Sequence, residues 1–220
     1  MKKIATVFLL VSLLSLAACS NISNEPNTPS NETPTVTAEP TPTQPAPAEA
    51  ELLPLPKESM EFAFLSGAGG WRTVMTLNRD GTFSGLYTDS EMGEIGKSYP
   101  KGSVYVCDFS GKFGEIEKIN EYSFRLILTD ISTANAVGEE WIEDEIRYVA
   151  ADPNGLNDPL TGQDCTEFIL YLPDTPLDSV SEDFLFWWPL KYSQDTVPVT
   201  TLSCFGILNV TTSDGFFTAI

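Results

Sequence analysis

From residue 58 onward, apolar positions recur along the chain with a period of two. In WRTVMTLN (71–78), Trp71, Met75 and Leu77 share one face with Thr73, as a half-buried strand requires. Arg79-Asp80-Gly81 then turns the chain, Gly81 being free to take the positive φ that a hairpin bulge demands, and 82–87 returns. The same pattern predicts strands over 103–109, 113–119, 122–131, 142–149, 166–172 and 200–210. Short turns such as Ser110-Gly111-Lys112 and Asn120-Glu121 join most of them. Sequential hairpins of this kind favour a mainly β domain, an antiparallel meander closing into a β-barrel, with a β-sandwich as the alternative. One short helix is expected. Ser179-Val180-Ser181-Glu182 has capping-box form, an aromatic run follows over 183–188, and Pro189 stops it. Such a helix would lid one end of a barrel.

The pattern is different before residue 58. Lys2 and Lys3 precede a mostly apolar run over 4–16, and small residues then lead to Cys19. Residues 1–18 therefore read as a cleaved export signal, since the apolar run falls short of the ~20 residues a membrane span needs. Residues 19–57 are rich in Pro, Thr and Glu and offer no spaced apolar positions until Leu52. A segment of that composition cannot bury enough surface to offset its ordering entropy, so it is expected to be a disordered stalk. Stiffened by proline at ~3.1 Å per residue, it could reach at most roughly 120 Å. The domain proper is drawn at 58–220.

Composition narrows the chemistry. The chain carries 31 acidic against 12 basic residues, a net charge of −19, which argues against nucleic acid and against direct docking on anionic lipid. Histidine is absent. That removes Ser-His-Asp and Cys-His catalysis and histidine-based zinc hydrolysis. No phosphate loop or GxSxG elbow occurs, and acids are too numerous for any carboxylate pair to stand out. Catalysis is not expected; a carboxylate-dependent hydrolase is the least favoured reading. Cys107, Cys165 and Cys204 have no CxxC spacing, so one disulfide with three choices of pair is open. Cys107, inside VYVCDF, reads as a small buried residue.

Two clusters are candidate sites. Asp152, Asn154, Asn157 and Asp158 place four oxygen-bearing side chains in seven residues of loop and could hold calcium, although turns use the same residues. The aromatic run could present a platform to sugar rings or an apolar ligand. Trp71, Trp187 and Trp188 are the candidate binding residues, with Trp187 the choice for exposure. The acidic run over 139–145 reads as a solvated edge that deters strand pairing.

Two resemblances follow from these motifs. Leu16-Ala17-Ala18-Cys19 resembles the lipobox of bacterial lipoproteins, in which the signal is cut before the cysteine and its thiol is diacylglycerylated. With the stalk, SGAGGW, DGTFSGLYTDS, IEDEIRY, ADPNGL and EFILYLPDTP, the chain resembles a family of Gram-positive bacterial lipoproteins. That resemblance implies lipidation of Cys19 and an extracytoplasmic address at the cell membrane, and no activity. Gly69-Gly70-Trp71 followed by Asp80-Gly81-Thr82-Phe83 also resembles the first hairpin of lipocalin-like (calycin) barrels, whose G-x-W tryptophan plugs the closed end. The T-D-Y motif of those barrels is missing, Thr129-Asp130 being followed by Ile131. The expected function is non-catalytic binding of a small ligand inside a lipocalin-like β-barrel. The alternative is a surface module that binds protein or cell-wall glycan through its loops.

Overall fold

The computed structural model describes residues 52–191 and 199–219. They belong to one unit spanning Pro47–Ile220; the other unit, Met1–Ala46, lies outside the described residues, and with it Cys19 and the export signal. The strands are β1 Ser59–Leu65, β2 Trp71–Asn78, β3 Thr82–Glu91, β4 Ser103–Lys118, β5 Ser123–Thr133, β6 Glu140–Glu143 and β7 Ile146–Ala150. They continue with β8 Asn157–Asp158, β9 Gln163–Asp164, β10 Glu167–Tyr171, β11 Gly206–Asn209 and β12 Gly215–Phe217. Helix α1 is Glu182–Phe186, preceded by a 3-10 turn at Leu177–Ser179.

The strands β1-β2-β3-β4-β5-β10-β11-β12 pair antiparallel in that order, and β12 returns to β1. The result is a closed eight-stranded up-and-down barrel, a shape compatible with the lipocalin-like fold. Closure removes the free edges that an open meander would expose. Its last seam is narrow: β1 and β12 meet at one register pair, Ala63 with Phe217.

Alternation holds through the wall, and the inner face is aromatic. Phe62, Phe113, Phe168 and Phe216 are fully buried at its centre, with Met75, Leu77 and Leu126 between them. Leu53 and Leu55 also belong to this core, and the Leu53 N–H donates to the Arg79 carbonyl at 2.8 Å. The packed domain therefore begins before residue 58; the end assigned to the stalk closes the barrel floor.

Between β5 and β10 the chain makes an excursion. The hairpin β6–β7 adds to the upper half of β4, with β7 parallel to it and β6 outermost in the sheet, so the acidic run does sit on an edge. The chain then enters the barrel. Leu156 is fully buried in the core, and Gly155 (φ +89°) lies where a Cβ would come within 2.8 Å of the Phe64 and Phe216 rings. Backbone at this depth needs partners. Thr73 Oγ1 donates to the Asn154 carbonyl at 2.8 Å, and Asn209 Nδ2 to the Gly155 carbonyl at 2.9 Å; both side chains are fully buried.

Several expectations need correction. Ser110-Gly111-Lys112 is no turn: β4 runs unbroken through it and bulges around residues 112–115. Gly111 is small because the Phe83 ring lies over it, where a Cβ would come within 2.5 Å. The predicted strand 142–149 is two strands, split at Asp144 and Glu145 with φ of 51° and 68°. β1 and β12 went unpredicted, so Trp71 stands on the second strand rather than the first. Ser181, not Ser179, caps α1, accepting from the Phe184 N–H. The helix packs on the outer wall instead of lidding an end: Phe184 stacks on Phe217 at 4.7 Å and touches Tyr171. Cys107, Cys165 and Cys204 are buried free thiols.

The two-residue turn of β6–β7 is of the kind that demands two left-handed residues, and it holds neither Gly nor Asn. Each strained residue costs on the order of 1 kcal/mol. Lys101 offsets part of this by donating to the Asp144 carbonyl at 2.9 Å and pairing with Glu145 at 3.1 Å. That pair is mostly exposed and contributes at most ~0.5 kcal/mol. The double variant Asp144→Asn, Glu145→Gly should therefore gain about 1 kcal/mol and raise the Tm by roughly 2–4 °C in a calorimetric scan. A lower Tm would show that the turn is not strained.

Candidate functional site

The interior offers rings where a ligand would sit, and the exposed aromatic chemistry lies at the upper rim, where β1 ends and β2 begins. Trp71 opens β2 and packs its half-buried indole on Phe64 at 4.7 Å. Trp187, which follows the last helical residue of α1, meets Phe64 at 4.8 Å and Trp71 at 6.2 Å. The fold thus unites two of the three tryptophans proposed from sequence. It separates the third: Trp188 is buried with Val180, Leu185, Leu202 and Cys204 under the helix, and no part of it reaches the rim. Among the described residues its indole N–H has no oxygen or nitrogen partner, and the Cys204 thiol is the polar group beside it. One turn of helix explains the split, since a helix lying on a wall turns Phe184 and Trp188 inward and leaves Phe186 and Trp187 at the surface. Phe186 is the more exposed, at 57%, and stands edge-on to Trp187 at 5.2 Å.

Two hollows flank the tryptophan pair. On the Trp187 side, a cleft of 520 Å³ lies between α1 and the turn 210–214, bounded by Asp183, Phe186, Trp187, Lys191, Thr212 and Asp214. Lys191 Nζ pairs with Glu182 at 2.6 Å across its margin. On the Trp71 side, a groove of 420 Å³ runs along the loop 66–70, with Arg72, Thr88 and Ser90 on its far bank.

Asn209 builds the cleft's far wall. Its Oδ1 accepts from the Thr211 and Thr212 N–H groups at 2.9 and 3.3 Å, while its Nδ2 holds the plug. The turn this creates carries Ser213 at φ +63°, a conformation that non-glycine residues avoid and that recurs at binding sites. Thr212 Oγ1 donates to Asp214 Oδ2 at 2.6 Å. Burial pushes the Asp214 carboxyl above its ordinary range, and the Thr212 bond only partly opposes it. A desolvated carboxylate beside an aromatic pair is a ready acceptor for ligand hydroxyls. Sequence reasoning missed Asn209, Thr212 and Asp214. The one available signal was Asn209-Val-Thr-Thr-Ser-Asp214, whose side chains serve turns.

Three of the candidate calcium residues have local partners within the fold. Asn154 offers its carbonyl to Thr73, and Asn157 pairs with Asp164 in the β8–β9 ladder. Asp158 closes its own turn, accepting from the Leu160 N–H at 2.9 Å and Thr161 Oγ1 at 3.0 Å. Asp152 lies near Cys107, whose thiol burial pushes up to about 11 with added repulsion from Asp152 and Asp108. Among the described residues no three acidic or thiol side chains converge as metal ligands. The Cys165 and Cys204 thiols are likewise raised by burial, which suits packing and not nucleophilic attack.

No family model, curated protein or solved structure matches the chain.

The raised Asp214 pKa has a sign. A carboxyl that is easier to protonate when folded weakens the fold once it ionises, and has no effect where both states are protonated. Asp214→Asn, which keeps an acceptor for Thr212, should raise the Tm at neutral pH. The gain should vanish as pH falls to about 3, below the ordinary carboxylate range. A variant that melts lower than the parent at neutral pH would refute this.

Proposed function

We propose that the chain is a lipid-anchored, extracytoplasmic protein of the bacterial cell surface, tethered through Cys19, that binds cell-wall glycan at the rim around Trp71 and Trp187 without catalysing a reaction. The observation that carries this reading is the pairing of two indoles beside a carboxylate-lined cleft, on a barrel whose centre is already filled by its own rings. Sugar rings have apolar C–H faces that lie on aromatic faces, and hydroxyl edges that donate to carboxylates. Trp187 and Phe186 supply the first, Asp183 and Asp214 the second. A small apolar ligand in the barrel would have to displace Phe62, Phe113, Phe168 or Phe216, each worth about 3–5 kcal/mol of packing. The negative charge of the chain disfavours docking on a broad anionic surface and leaves a hydroxyl-rich glycan open as partner. A long Pro- and Thr-rich stalk would carry the site outward from the membrane.

Anchoring is tested by phase partition in detergent. The intact protein should enter the detergent phase, and Cys19→Ser should leave it in water, since each buried acyl methylene adds ~0.8 kcal/mol of membrane affinity. Detergent partition that persists in Cys19→Ser would refute the anchor. Glycan binding is tested by quenching of tryptophan fluorescence with wall-derived oligosaccharides. Trp187→Ala should weaken binding at least about tenfold, as loss of a stacked aromatic does. Asp183→Asn, on an exposed side chain, should weaken it without lowering the Tm, and Trp188→Phe should leave it unchanged. Absence of saturable quenching with every oligosaccharide would sink the reading.

A further inference from the structure

The groove behind Trp71 carries a second chemistry. Three of the five residues in the loop 66–70 are glycine, and the fold requires one of them. Gly69 has φ of +79°, which side chains avoid, whereas Gly67 and Gly70 lie outside that region. A Cβ on Gly67 would meet no protein atom within 4 Å, and one on Gly70 would touch only Ser66 Oγ at 3.7 Å. Neither backbone conformation nor packing explains these two. Glycine at these two positions leaves the loop backbone open to close approach by a group from outside the chain.

The lining indicates what approaches. The N–H groups of Gly67 and Gly70 have no acceptor among the described residues, unlike those of Ser66, Gly69 and Trp71. Thr88 and Ser90 line the same groove. Among the described residues Arg72 is exposed and forms no ion pair. Lys57, Lys97, Lys112 and Lys118 form none either, but the other three arginines, Arg79, Arg125 and Arg147, are each tied to a carboxylate. No carboxylate lines the groove, in a chain with 31 acidic residues. Asp89, opposite Trp71 in the ladder, is directed to Tyr87 on the other face of the strand. The groove offers N–H and O–H donors and one guanidinium and has no carboxylate of its own; Glu61 and Asp108 lie in the adjoining hollow that Arg72 also borders. Such a donor set matches an oxyanion.

We propose that this groove is an oxyanion subsite. It takes a carboxylate or phosphate group on Arg72 and the Gly67 and Gly70 amides, with Trp71 as its apolar wall. The inference rests on the glycan reading and narrows the ligand to a sugar that carries an acidic group. The cleft beside Trp187 holds the neutral ring, and the groove beside Trp71 holds the charge.

The test uses the full chain in detergent micelles and isothermal titration with three sugars: N-acetylglucosamine, N-acetylmuramic acid and N-acetylglucosamine 1-phosphate. At least one acidic sugar should bind about tenfold tighter than the neutral one, as a charge-assisted contact provides. Which acidic sugar gains more distinguishes carboxylate from phosphate. The advantage should fall with added salt and disappear in Arg72→Gln. Gly67→Val, whose side chain would enter open space, should keep the parental Tm and lose the same advantage. Equal affinity for all three sugars, or an acidic preference that survives Arg72→Gln, would overturn the subsite. If no sugar binds, the glycan reading fails, and inorganic phosphate titrated against the Gly67 and Gly70 amide resonances decides the groove alone. Saturable shifts that Arg72→Gln abolishes uphold it, and unmoved resonances overturn it.

Discussion

Two buried hydrogen bonds allow irregular backbone to lie inside an apolar barrel. Thr73 and Asn209 hold the carbonyls of Asn154 and Gly155, and without them the plug would place unpaired acceptors among phenylalanine rings. Leaving one such group unpaired costs about 1–3 kcal/mol, a large share of a domain's net stability. With both made, Leu156 and the glycine backbone occupy space that the Phe rings alone leave open. Asn209 carries the same constraint outward, because its other amide atom shapes the turn that bears Thr212 and Asp214. The inner plug and the outer cleft are thus set by one side chain.

How much of this could be read from the chain depends on which signals are local. The hairpin at Arg79-Asp80-Gly81 was legible because Gly81 takes φ +82°, a requirement met within three residues. The barrel class was legible from alternation. The length of β4 was not, because Gly111 serves packing against Phe83, and glycine between polar neighbours such as Ser110 and Lys112 looks like a turn wherever it falls. The split of β6 from β7 was hidden for the opposite reason: Asp144-Glu145 turns the chain with residues that rarely do so. Trp71 and Trp187 could be named as candidates, but their meeting at 6.2 Å depends on barrel closure. The choice of Trp187 over Trp188 depends on which side of α1 faces a wall.

The acidic composition changes meaning once positions are known. Charge is concentrated on the outer face and on the β6 edge, where Glu140 also pairs with Arg147 at 2.6 Å. Arg72, the arginine without an ion pair among the described residues, stands at the rim. The cleft and the groove differ as surroundings: one has carboxylates beside aromatic faces, the other donors and a free guanidinium. On the proposed reading, a surface divided this way would distinguish the two ends of an elongated molecule and thereby orient it.

The narrow join between β1 and β12 gives α1 a mechanical role. Phe184 stacks on Phe217 of β12, and Trp187 reaches Phe64 of β1, so the helix clasps the barrel across the place where it is least stitched. Local opening concentrates where hydrogen bonds are few, and a clasp there would limit how often the cylinder breathes. A molecule resting on Trp187 would tighten that clasp from outside. Occupancy of the rim would then be felt as slower opening along the whole seam, and recognition and mechanical firmness would rise together.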